Sequence, residues 1–116
     1  MGSYDADNAV LTLVKYTKSN AEDYVNSAWE IQKEPYRGDV INAYNDGPPE
    51  PGAEPMGPFY ELESSSPAAQ LKPGDSIIHT HTTFHIKGTP QQLDPVMLQI
   101  LGVTTSKAMS VFAKSN

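Results

Sequence analysis

The stretch DGPPEPGAEPMGP, residues 46–58, holds five of the ten prolines in this 116-residue chain. Each proline fixes φ and removes a backbone donor, so neither a helix interior nor a continuous ladder can run through the stretch. It is expected to be an extended connection, read either as a stiff surface link or as a rim loop beside a binding site, since preset loops carry function. Ten prolines and eight glycines across the chain favour short strands joined by turns over long helices. The expected fold is mainly β, an antiparallel β-sandwich followed by one or two short C-terminal helices.

Hydropathy patterning places the strands around that connection. NAVLTLVKYT (8–17) is rich in β-branched and aliphatic residues and reads as a strand. YVNSAWEIQ (24–32) reads as a second, with Val25, Ser27, Trp29 and Ile31 sharing one face and Trp29 as a core anchor or a ligand platform. VINAYN (40–45) and FYELES (59–64) flank the proline-rich stretch. SSPAAQLKPGD (65–75) ends in a Pro-Gly turn signal, and SIIHTHTTFHIKG (76–88) is the next predicted strand, closed by Gly88. The pattern then turns helical. Asp94 is the expected N-cap, with Pro95 at the first helical position, Gly102 just past the end, and Val96, Leu98, Ile100 and Leu101 as the apolar side. A second short helix over 104–114 would be capped by Thr104 or Thr105. Residues 1–116 therefore read as one domain or a fragment of one, β-rich over 8–88 with a helical tail over 94–114.

The formal charge of −6, with eight scattered Lys and Arg and no basic stripe, argues against nucleic acid and against an anionic membrane surface. The absence of cysteine excludes disulfides, thiolate metal sites and a cysteine nucleophile. No apolar run reaches the length of a membrane span, and the N-terminus has no signal-peptide core. Met1-Gly2-Ser3 fits the start of a piece excised from a longer protein.

All three histidines fall within seven positions, His79, His81 and His85. On one strand they share a face with Ile77, Thr83 and Lys87, leaving Ile78, Thr80, Thr82, Phe84 and Ile86 opposite. His79 and His81 lie about 6.6 to 6.8 Å apart along a strand, close enough for two imidazoles to hold one ion, whereas His85 is roughly 20 Å from His79 along an unbroken strand. The spacing G-x4-H-x-H-x3-H-x2-G resembles the first metal motif of cupins, with His85 where a glutamate is usual. The second cupin motif is absent, so a metal site would have to borrow Glu61, Glu63 or Asp75. A polar strand face is the leading expectation, and a metal site at His79 and His81 is the alternative.

Phe59, Glu61 and Glu63 share one face of their predicted strand. Two carboxylates two residues apart on one face raise each other's pKa when the site is partly dry, which suits general acid/base work. The order of motifs over LESSSPAAQLKPGDSIIHTHTTFHI (62–86) resembles the C-terminal region of galactose mutarotase-like proteins, the aldose 1-epimerases. Leu62-Glu63-Ser64 matches the end of one strand, Leu71-Lys72-Pro73-Gly74-Asp75 the following turn, and His81-Thr82-Thr83-Phe84 the next strand. Residues 29–68 also look like an uncharacterised branch of that superfamily found in gut Bacteroidetes and described as domains of unknown function.

The resemblance implies a carbohydrate-related β-sandwich, the C-terminal part of a longer parent. Glu63 falls at the position of the catalytic base, and Glu61, Trp29 and His81 are candidate contacts for a small sugar. It implies no cofactor. Ser65 replaces the family's glutamine, and the family's catalytic histidines lie upstream of this sequence, so the isolated chain is expected to be inactive. A periplasmic or secreted parent is one expectation. Two further readings stand beside it: a small cupin-like metal-binding module using His79 and His81, and a non-catalytic, self-associating interaction domain that pairs with itself or with a missing N-terminal half.

Overall fold

The computed structural model describes residues 1–28, 30–48 and 50–111. The described chain carries five strands in two antiparallel sheets and two short helices, the mainly β architecture expected from its turn-rich sequence. It divides into two compact units: Met1–Lys15 with the chain from Thr82 onward, and Tyr16–His81.

The first unit is built on β1 (Gly2–Asp5), β2 (Val10–Tyr16) and β5 (His81–Lys87), in the order β1-β2-β5. β1 has no counterpart in the sequence reading. It pairs antiparallel with β2, from Gly2 opposite Leu13 to Asp5 opposite Val10. The turn between them is held by the Asp5 carboxylate, which accepts the Asn8 backbone N–H at 3.0 Å and the Asn8 side-chain amide at 2.7 Å. Gly2 is a close-approach position: a Cβ there would lie 2.7 Å from the Thr12 carbonyl oxygen and 3.0 Å from Leu101 Cδ1.

Leu11, Thr12, Leu13 and Val14 are buried in succession, as expected for a central strand. Leu11 and Leu13 form the core with Leu93 and Met97, and Tyr4, Ile86, Val96 and Leu101 pack around it. Each fully buried side chain of this kind contributes about 1.5–3 kcal/mol. Thr12, on the other face of β2, bonds His85 Nδ1 at 3.1 Å. Ile86 therefore packs on the core and His85 on the polar face, the division that alternation along the strand predicts.

Helix α1 spans Pro90–Leu101, five residues earlier than the expected start. Thr89 is its N-cap. The Gln92 side chain accepts the Thr89 N–H at 2.9 Å, and Pro90 takes the N1 position, where no donor is needed. Pro95 consequently lies inside the helix rather than at its start. The earlier start brings Leu93 onto the stripe with Met97, while Leu98 and Ile100, expected on the apolar side, are exposed. Gly102 ends the helix at φ 72°, its N–H bonded to the Leu98 carbonyl at 3.2 Å, as the C-terminal glycine signal predicts. Asp94 has a different task from the expected cap. Its Oδ1 accepts both the backbone N–H and the hydroxyl of Thr105 at 2.8 Å, fastening α2 (Thr105–Ser110) to α1. Thr104 caps α2, its hydroxyl accepting the Lys107 N–H at 3.2 Å.

In the second unit β3 (Ile41–Asn45) and β4 (Tyr60–Ser64) pair antiparallel around the proline-rich connection. The predicted strand over 24–32 is not formed among the described residues. Tyr24 makes a lone parallel bridge to Arg37, and its N–H and carbonyl bond Tyr36 and Gly38. Gly38 passes so close to Val25 that any Cβ would overlap the Val25 backbone. Val25 and Ile31, expected to share a face with Trp29, are exposed. Trp29 lies outside the described residues.

Candidate functional site

The register of the β3–β4 hairpin sorts its side chains. Asn42 lies opposite Glu63 and Tyr44 opposite Glu61, and the next bonded pair out is Asp46 with Phe59. Cross-strand partners share a face in an antiparallel ladder, so Asn42, Tyr44, Asp46, Phe59, Glu61 and Glu63 line one side. Ile41, Ala43, Asn45, Tyr60, Leu62 and Ser64 line the other. The shared face of Phe59, Glu61 and Glu63 is the one that alternation in the sequence predicts.

On the first face the Asn42 side-chain amide donates to Glu63 Oε2 at 2.8 Å. Hydrogen bonding to Glu63 pushes the Glu61 carboxyl above its ordinary range, with desolvation and the Glu63 charge acting in the same direction. Glu61 thus holds a proton more tightly than an isolated glutamate. Desolvation, then the charge of Asp46 and a hydrogen bond to it, and finally the charge of Glu61 raise the Tyr44 hydroxyl. Its Oη donates to Asp46 Oδ1 at 3.4 Å. The Tyr44 and Phe59 rings stand 6.1 Å apart between centroids at 31°. The other oxygen of Asp46 accepts the Gly57 N–H at 2.6 Å, so this carboxylate ties the end of the proline-rich connection to the rim of the face. The connection therefore leaves from the same edge as Tyr44 and Phe59.

On the second face Ser64 Oγ lies 2.8 Å from His79 Nε2 and 2.8 Å from His81 Nδ1. His79 precedes β5, which begins at His81, so the predicted strand over 76–88 is formed only in its second half. Among the expected sugar contacts, Glu61 and Glu63 are brought together. His81 bonds Ser64, whose side chain leaves β4 on the face opposite Glu63. The carboxylates considered for a metal do not join the imidazoles. Among the described residues no three His, Asp or Glu side chains gather as a metal site, and Asp75 instead accepts the Lys72 N–H at 3.2 Å, across the Pro73-Gly74 turn.

Asn42, Tyr44, Asp46 and Ser64 were not singled out from the sequence. The signal for the first two was present in VINAYN, where they alternate at i and i+2, but it acquires meaning only with the hairpin register. A depression of about 460 Å³ elsewhere in this unit is lined by Asp23, Val25, Tyr36, Ala68, Ala69 and Gln70, with Asp23 its single carboxylate among the described residues.

Among the described residues no helix is long and apolar enough to cross a membrane. No curated protein and no solved structure matches the chain. A family model covers residues 1–112, and on that match the chain belongs to the family of unknown function DUF6786.

Proposed function

We propose that the Glu61–Glu63 face of the β3–β4 hairpin is a sugar-binding surface in a mutarotase-like protein. The observation that carries the reading is the Glu61–Glu63 carboxylate pair on the same hairpin face as the Tyr44 and Phe59 rings, with the Asn42 amide fixing Glu63. A pyranose offers apolar C–H faces to aromatic rings and hydroxyls to carboxylate and amide groups, and this face holds both kinds of partner. The resemblance of residues 62–86 to aldose 1-epimerases supports the same reading.

In that chemistry Glu63 is the base and takes the proton from the anomeric hydroxyl. Glu61, whose carboxyl is raised above its ordinary range by hydrogen bonding to Glu63, is the acid for the ring oxygen. The C1–ring-oxygen bond then breaks to give the open aldehyde. Closure on the other face of the carbonyl reverses the proton transfers, so the carboxylates end as they began. His81 bonds Ser64 on the opposite face and takes no part in this chemistry, and Trp29, the other expected contact, lies outside the described residues.

The test is an amide-resolved titration with common aldoses, with anomer exchange followed by magnetisation transfer. Shifts centred on Asn42, Tyr44, Glu61 and Glu63 are expected. Anomer exchange, where found, should be lost in Glu63→Gln. A dispersed spectrum that no aldose perturbs would overturn the reading.

Self-association is a second reading, favoured by the exposure of Ile31, Met56 and Ile78 within Tyr16–His81. Sedimentation over a range of concentrations tests it, and a strict monomer would exclude it.

A further inference from the structure

The meeting of His79 and His81 on one serine hydroxyl is not used by the proposed sugar chemistry. Ser64 Oγ is 2.8 Å from each ring nitrogen. No two atoms each 2.8 Å from a third can be more than 5.6 Å apart, so the two imidazoles aim at one small volume. A hydroxyl carries one proton, so Ser64 can donate to one ring and must accept from the other. Only one of the two nitrogens then presents a lone pair. A change of tautomer at the other ring gives two lone pairs pointing at a common centre.

We propose that His79 Nε2 and His81 Nδ1 form a two-imidazole site for a borderline divalent cation of the zinc, copper or nickel type, which displaces the Ser64 hydroxyl from between them. Imidazole suits these ions over calcium or magnesium. Zinc bound by both rings at about 2.0–2.1 Å would hold the nitrogens about 3.3 Å apart, inside the 5.6 Å limit set by their shared hydroxyl. His79 and His81 are two residues apart, a spacing that lets both rings reach one ion. The geometry also explains why the site has two protein ligands and not more. Glu63 leaves β4 on the opposite face, and Asp75 is engaged with the Lys72 N–H. The remaining coordination positions fall to water or to an exogenous ligand.

The experiment is a zinc titration of the whole chain, followed through the ring-proton resonances of the three histidines and by calorimetry. One zinc per chain is expected, with the His79 and His81 rings perturbed and the His85 ring, bonded to Thr12, unmoved. Loss of an outer-shell partner alone weakens metal sites by about 10–100-fold, so His81→Gln should weaken binding by at least about tenfold. His79→Gln should do the same, and the exposed position of His81 keeps the test valid if the half-buried His79 variant does not fold. Ser64→Ala should bind zinc no more weakly than the parent chain, because its hydroxyl is displaced and is not a ligand.

Zinc binding unchanged in His81→Gln would overturn the proposal. So would an absence of ring shifts in large zinc excess, or loss of binding in Ser64→Ala with both imidazoles intact.

Discussion

Glu63 and Ser64 are neighbours in β4 and face opposite ways: Glu63 takes the Asn42 amide at 2.8 Å on one side, and Ser64 meets His79 and His81 at 2.8 Å on the other. The alternation of a strand therefore separates two chemistries that are adjacent in sequence. The carboxylate pair lies on one face of this short strand and the imidazole pair meets its other face, so the two do not share a site.

The carboxylate pair makes a prediction about titration. Glu61 is raised above the ordinary 4.5 by hydrogen bonding to Glu63, then by desolvation and by the Glu63 charge. The folded state thus holds this proton more tightly than the unfolded chain. The associated stability is present below about pH 4.5 and is lost as pH rises through the folded value. In Glu63→Gln the neighbouring charge is gone and the new amide can donate to Glu61, so Glu61 should titrate lower. Side-chain carboxyl carbon shifts followed against pH measure this directly. An unchanged Glu61 curve in the variant would mean that the two carboxylates are not coupled.

Asp5 should behave in the opposite sense. The Asn8 side-chain amide, followed by the Asn8 backbone N–H, holds its carboxyl below the ordinary 3.8, outweighing a small opposing effect of desolvation. Stability from this turn is present above about pH 3.8 and is lost as pH falls through the lower folded value. Asp5→Asn should therefore flatten the acid limb of a stability–pH curve below about pH 4, with little effect near neutrality beyond the loss of the charged acceptor. A variant whose acid limb stays as steep as the parent's would remove Asp5 from acid unfolding.

The β elements legible in the sequence were those whose local signals agreed with their pairing. β2 announces itself through VLTLV, and the β3–β4 hairpin through alternation on either side of the proline-rich connection. Among the described residues, the period-two pattern of 24–32 finds no partner strand: Tyr24 bonds back to Tyr36 and Gly38 within a loop instead. β1 was missed because Gly-Ser-Tyr-Asp has weak strand propensity, and its pairing with β2 depends on the close approach that Gly2 permits. Helix α1 was placed late because Asp94-Pro95 carries the same local signal as Thr89-Pro90, and burial of Leu93 decides between them. For the candidate site, Glu61 and Glu63 were legible from spacing alone. Their Asn42 and Tyr44 partners required the cross-strand register, and the separation of Glu63 from the histidines required knowing which residue of β4 the imidazoles meet.

Asp94 offers a test of how the helical segment is fastened. One carboxylate oxygen accepts two hydrogen bonds from Thr105, whose residue is 3% exposed. Hydrogen bonds to a charged group contribute about 1.5–3 kcal/mol each, and a buried donor left alone carries its own penalty. Asp94→Ala should therefore lower stability by about 3 kcal/mol or more in denaturant unfolding. Thr105→Val, which removes the hydroxyl but keeps the backbone bond, should cost less. If Asp94 acted instead as the helix N-cap, Thr105→Val would leave stability unaltered and only Asp94 would matter.

Tyr24 makes the opposite kind of prediction, a stabilising deletion. The residue is 3% exposed, and its hydroxyl is buried with no hydrogen-bond partner among the described residues. Its backbone is fully engaged, with the N–H on Tyr36 and the carbonyl receiving Gly38, so the ring is held in place without help from the hydroxyl. A buried, unsatisfied hydroxyl costs about 1–3 kcal/mol, whereas an apolar edge of the same shape does not. Tyr24→Phe should raise stability by about 1 kcal/mol, read as a higher denaturation midpoint with an unchanged slope. A lower midpoint would mean that the hydroxyl is bonded in solution and that Tyr24 anchors the 24–38 loop through its side chain as well as its backbone.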